Sequence, residues 1–104
     1  MAEQWIHTMG PQIATMDMND LLQARGASYG PFVTHADITQ RIKTAMFDTV
    51  PVRKPLAPDQ REALEMIAHK IGRIVNGNPD YVDSWDDIAG YATLVADRLR
   101  GVVR

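Results

Sequence analysis

The chain has no cysteine among its 104 residues. That excludes disulfide scaffolds, thiolate metal sites and cysteine nucleophiles. It also has no basic excess. Eleven Lys and Arg stand against thirteen Asp and Glu, for a formal net charge of -2. Non-specific nucleic-acid binding, which rests on neutralising phosphates, is therefore not expected. No apolar run approaches the ~18 residues of a membrane span, so no membrane partner is expected. The opening MAEQWIHTMG carries an acid and no basic stretch, and it does not read as a secretory signal. With no cysteine and no such signal, a cytoplasmic setting is expected. Sustained period-two alternation is missing too, which argues against sheet.

What is present is helical patterning in a length that suits one domain. At 45% hydrophobic and 23% charged, the composition is that of an ordinary globular chain. The reading is all-α, a small three- to four-helix bundle. Residues 1–14 are expected to form a flexible arm, broken at Gly10-Pro11 and carrying Trp5 and Ile6, with residues 15–104 as a single helical domain. A first helix is expected from about Asp17 to Arg25, stopped by Gly26. The stretch RGASYGPF that follows reads as a loop. A second helix should be capped by Thr34, with Val33 and Ile38 as a hydrophobic staple, and should end near Phe47–Asp48. The third opens with Pro58 at its first position and runs to Asn76, with Gly77 as a left-handed stop. The fourth starts near Asp80–Asp83 and ends near Gly101. The expected apolar stripes are Leu64, Ile67, Ala68, Ile71, Ile74 and Val75 on the third helix, and Trp85, Ile88, Ala92, Val95 and Leu99 on the fourth. A short connection makes these two helices an antiparallel hairpin.

Charge is uneven. Residues 1–50 hold three basic and five acidic side chains, and residues 51–104 hold eight of each. Within the second half, Lys70 and Arg73 share a helix face, as do Asp83 and Asp87, with Tyr91 continuing that line. Folding the hairpin about residue 79 brings Asp87 opposite roughly position 71, so it should meet Lys70 or Arg73. This is either a register-fixing ion pair or a polar pocket in which the cations hold phosphate. Arg25 and Tyr29 in the RGASYG stretch add a guanidinium and an aromatic face suited to a nucleotide, Tyr29 by stacking. Gly90 inside a helix fits tight packing or the close approach of another backbone or a ligand. Glu62-x-x-Glu65 and Asp83-x-x-Asp86 could offer oxygens to Mg²⁺, yet the fold-back separates them by roughly 15 Å along the axis. His7, His35 and His69 have no metal-ligand spacing, and His69 is expected in solvent. Arg98, Arg100 and Arg104 read as a solvated helix end.

The segment EALEMIAHKIGRIVNGNPDYVDSWDDIAGYATLV resembles a family of small phage and prophage helical proteins of unknown function. The shared pattern is a Lys and an Arg three apart, an Asn-Gly turn, and an Asp four before Asp-Ile-Ala-Gly-Tyr-Ala. RGASYGPF is similar to the same family's upstream element, with Pro31 where an acid often stands. The resemblance covers about residues 17–100. More distantly, E-x-x-E before an Asp-rich helix resembles the all-α nucleoside triphosphate pyrophosphatases (MazG-like). That likeness implies Mg²⁺ held by Glu62, Glu65, Asp83 and Asp86 or Asp87.

Three readings follow. The first is a phage-type protein of an infected or lysogenic bacterial host. It would sequester a nucleotide-derived defence signal without hydrolysis and without a cofactor. Arg25, Lys70 and Arg73 would sit on its phosphates, Asp83 and Asp87 on polar groups, and Tyr29 or Tyr91 on a base. A chain this short points to a pocket shared in a homo-oligomer. The second is a Mg²⁺-dependent pyrophosphohydrolase, with the four carboxylates as its catalytic set. The third is a helical protein-interaction module.

Overall fold

A computed structural model describes residues 17–49, 51 and 53–104. The arm expected over residues 1–14, with Trp5 and His7, lies outside the described residues. Four helices are present and no strand among the described residues: α1 (Met18–Tyr29), α2 (Phe32–Phe47), α3 (Pro58–Asn76) and α4 (Val82–Leu99). The all-α reading is what the fold shows.

Local chemistry explains most of the boundaries. The Asp17 side chain accepts from the Asp20 amide at 2.8 Å and caps α1. The helix does not stop at Gly26, however. It continues through the expected loop to Tyr29 and ends at Gly30, whose φ of 76° suits only glycine well. The α1–α2 connection is thus only Gly30-Pro31. This shifts the start of α2 to Phe32, with Pro31 as its N-cap. Thr34 is therefore already inside the helix, where its hydroxyl donates to the Pro31 carbonyl at 3.0 Å. The proposed staple does not form, since Val33 is 79% exposed. For α3 both boundaries match the expectation. Pro58 occupies the first turn, and the Gln60 side chain accepts from the Ala57 amide at 2.8 Å. Gly77 ends it with φ -129°, so handedness is not why glycine stands there.

The α3–α4 hairpin is antiparallel, and charge fixes its register at two levels. Lys70 Nζ lies 2.9 Å from Asp87 near the turn, and Arg98 Nη2 donates to Asp59 at 2.8 Å at the far end. Both pairs are centred midway between residues 78 and 79, so the register is constant along the hairpin. The arginine tail is exposed, as expected, and it is also paired. Arg98 holds Asp59, while Arg100 and Arg104 close over Asp97 at 3.4 and 2.8 Å and bury it.

Helix α3 is the central element and packs against the other three. Its neighbours divide its circumference. Lys70 faces α4, and Gly72 faces α2. Two residues apart at about 100° each, these directions are nearly opposite. The helices α2, α3 and α4 therefore form one layer. Arg73 and Asn76 project to one side of it, where α1 lies over them. Ile71, 38% exposed, projects to the other side, where Leu64 and Val75 also remain exposed at 39% and 62%. The expected stripe of α3 is thus only partly interior, and on α4 Trp85 and Leu99 are exposed at 54% and 62%. The core is thin. No large side chain is fully buried among the described residues, and the radius of gyration is 15.5 Å. A compact chain of ~100 residues has about 13 Å.

Candidate functional site

The covered side of the layer is polar. Lys70 and Arg73 are 8% and 6% exposed, and Arg25 of α1 reaches the same place. The geometry follows from helix spacing. Arg25 and Tyr29 lie four apart on α1, and Lys70 and Arg73 three apart on α3. Where the two helices meet, the Arg73 guanidinium lies 4.1 Å from the Tyr29 ring centroid and that of Arg25 lies 4.9 Å from it. Tyr29 also meets Tyr81 edge-on, with centroids 5.7 Å apart. Two cations thus attend the ring that sequence reasoning offered to a base, and Tyr29 acts as a platform for guanidinium groups. The extension of α1 to Tyr29 also spends its backbone amides on the helix, so no glycine-loop cradle exists.

The turn glycines and asparagines lock this corner. Asn76 donates through Nδ2 to the carbonyls of Tyr29 and Pro31, both at 2.9 Å. The Asn78 amide donates to Ser28 at 2.9 Å. A Cβ on Gly77 would stand 2.4 Å from the Ser28 carbonyl oxygen and 2.5 Å from Tyr29 backbone atoms. The two motifs singled out in the sequence, Arg-Gly-Ala-Ser-Tyr-Gly and Asn-Gly-Asn, are therefore in direct backbone contact.

Electrostatics at the site are dominated by desolvation. Burial, and then the neighbouring Arg73, bring Arg25 down to about 10. Burial likewise lowers Lys70 and Arg73 against the charge of Asp87, which opposes both shifts. Among the described residues Asp87, with its side chain 49% exposed, is the one carboxylate that pairs with Lys70. Tyr91 is pushed up by burial and then by Asp87 and Glu62. Tyr81 is pushed up to about 12, chiefly by its hydrogen bond to Asp83. Arg73 forms no ion pair with any described residue; its contacts are with Tyr29 and the field of Asp87.

Beneath the cations lies a histidine pair. His35 of α2 donates through Nε2 to the His69 carbonyl at 3.0 Å, and the two rings are 4.5 Å apart. His69 is 7% exposed, not solvated as the sequence suggested, and burial beside Arg73 brings it down to about 3. Its Nε2 and the Thr39 hydroxyl are buried without a hydrogen-bond partner. Gly72 makes the approach possible, because a Cβ there would lie 2.3 Å from Thr39 Oγ1 and 2.8 Å from His35 Cδ2. Sequence reasoning missed His35, Thr39, Asn76 and Tyr81 as neighbours of the site. The only signal was the proximity of Asn76 to Gly77 inside the motif.

The structure does not bring the carboxylate set together. Among the described residues no three His, Asp or Glu side chains gather as metal ligands. Glu65 lies 3.9 Å from Arg61, Asp87 is on Lys70, Asp83 accepts from Tyr81, and the charge of Glu62 acts on Tyr91. With the hairpin centred between 78 and 79, Asp83 mirrors position 74, about nine residues and ~14 Å from Glu65. The residues present do not fit a Mg²⁺ site within one chain. In comparisons with known proteins, no family model matches, and no curated protein or solved structure is significantly similar to this chain.

Proposed function

We propose that the protein binds a phosphorylated, nucleotide-like small molecule at the Arg25–Lys70–Arg73 cluster and holds it without hydrolysis. The observation that carries this reading is Arg73. A buried arginine, 6% exposed as a residue and without a carboxylate partner among the described residues, is a costly arrangement. An anionic ligand supplies the missing partner, and arginine offers phosphate a two-pronged set of donors. Lys70 adds a second positive charge. Asp87 and Tyr91 are the more open groups of the cluster, so the ligand enters along α4 and competes with Asp87 for Lys70. Asp83 and Asp87 then accept hydrogen bonds from sugar or base. The geometry supports holding over turnover, since it offers no converged carboxylates to activate water on a metal. A chain that retains such a ligand intact acts by sequestration, the use that the phage-family resemblance suggests.

A thermal-shift series tests this. Inorganic phosphate, nucleoside mono- and triphosphates and cyclic dinucleotides are each added with and without Mg²⁺. A ligand at 100 times its Kd adds about 2.7 kcal/mol and raises Tm by roughly 10 °C or more. The expected result is a shift without Mg²⁺, with the ligand recovered intact and the shift lost in Arg73→Ala and Lys70→Ala. No shift with any phosphorylated compound refutes the reading. Mg²⁺-dependent release of pyrophosphate replaces it with hydrolysis.

A further inference from the structure

The uncovered side of the layer continues from α3 onto α4. On α4, Val82, Trp85, Ala89, Ala92, Ala96 and Leu99 recur at alternating steps of three and four residues, the spacing of a coiled-coil seam. This seam is not spent on α3. Val82, Trp85 and Leu99 are 59%, 54% and 62% exposed, and Ala89 and Ala92 are exposed as well. At about 100° per residue, Ser84, Ile88, Tyr91 and Val95 point to α3. The seam lies a quarter-turn round from them, on the side where α3 shows Leu64, Ile71 and Val75. The two helices thus expose large apolar side chains on one side of the layer, the kind of surface that marks a protein contact.

We propose that this face is the contact between two copies of the chain, joined through antiparallel α4 helices about a two-fold axis near Thr93. The charge pattern selects this occupant and this direction. Asp86, Thr93 and Arg100 lie seven apart along the outer flank of the seam. Antiparallel pairing about Thr93 sets Asp86 of each copy against Arg100 of the other, so one surface complements itself twice, as a two-fold interface requires. Parallel pairing sets like charges at equal heights. Arg100 is available for this role: its side chain is 69% exposed, and its contact with Asp97 is long, at 3.4 Å. Size agrees with charge. Ala89, Ala92 and Ala96 form a narrow waist that lets the backbones approach. Trp85 and Leu99 stand near its two ends, where each copy's Trp85 meets the other's Leu99. The contact supplies the second half of a core that one chain leaves thin.

Sedimentation equilibrium at micromolar concentration is the first test, and a dimer is the expected result. Ala92→Glu, at an exposed position, should give a monomer with unchanged helix content by circular dichroism. Asp86→Arg and Arg100→Asp should each weaken the dimer about tenfold or more, and the double variant should restore it. The native chain has no cysteine, so single thiols report direction. Ala92→Cys should form a disulfide-linked dimer on mild oxidation. Val82→Cys should not, because antiparallel pairing separates the two thiols by about 30 Å. A wild-type monomer overturns the proposal. So does a dimer indifferent to Ala92→Glu, or cross-linking through Val82→Cys in preference to Ala92→Cys.

Discussion

The two sides of helix α3 are built on opposite terms. One side carries Arg73, His69 and Asn76, is covered by α1 and α2, and is held by short backbone approaches at Gly72 and Gly77. The other carries Leu64, Ile71 and Val75 and is partly open. The polar side is the buried one. Hydrophobicity therefore does not by itself say which face of a small helical layer is inside. Burying cations needs aromatic rings, carbonyls and counter-charges at fixed positions, and that side has them. An apolar side needs only a surface of the same kind, which a second chain can bring.

The largest effect should come from disturbing the close approaches of the polar side. Gly72→Ala, or Gly77→Ala, places a methyl against Thr39 and His35, or against the Ser28 and Tyr29 backbone. Each should cost about 3 kcal/mol in chemical denaturation. An unchanged midpoint for either would show that α1 and α2 are not seated as described.

Next in size is pH. His69 is held at about 3, far below its ordinary 6.5, because burial and the neighbouring Arg73 oppose its charged form. The unfolded chain therefore takes up a proton at a pH where the folded chain does not, and stability falls as pH drops below 6.5. His35 is lowered in the same direction by burial. The loss should be on the order of 2 kcal/mol by pH 5, and His69→Gln should flatten the profile. A Tm that is level from pH 7 to pH 5 in the wild type would place His69 in solvent.

A gain of about 1 kcal/mol is expected from Gly90→Ala. Nothing lies within 4 Å of an added Cβ there, and alanine favours the helix interior. The empty surroundings also show that, among the described residues, the tight packing offered for Gly90 does not occur. If the variant destabilises, another chain or a ligand comes close to Gly90 in solution. The smallest effect belongs to the bare side. Val75→Ser, at a site 62% exposed, should change monomer stability by less than about 0.5 kcal/mol. A larger loss would mean that this side is already covered in solution.

Where local chemistry governs, the sequence was legible. Pro58, the Asn-Gly turn and two long periodic stretches mark α3, α4 and their short connection. Reflecting the chain about that connection put Asp87 opposite Lys70 or Arg73, and it is Lys70 that it meets. Less was legible at α1, because Gly26 reads as a stop in isolation, while the real stop, Gly30, is selected by contact with Asn76. His69 was misread because a polar residue opposite an apolar stripe is ordinarily wet. Nothing local reveals that α2 arrives with His35 and Thr39 to cover it. The candidate site fared similarly. Its cations and Tyr29 were found as residues, but the stacking of Arg73 on Tyr29 joins positions more than forty residues apart.

The sequence by itself determined the all-α class, the ends of α3 and the antiparallel pairing of the hairpin to within about a residue. These depend on caps, breakers and charges within a few turns of one another. Only the tertiary structure decided which side of α3 faces inward. That choice is a competition among α1, α2 and α4 for one helix surface. It is settled by which neighbours can satisfy buried polar groups, a property of the assembled set that no local stretch encodes.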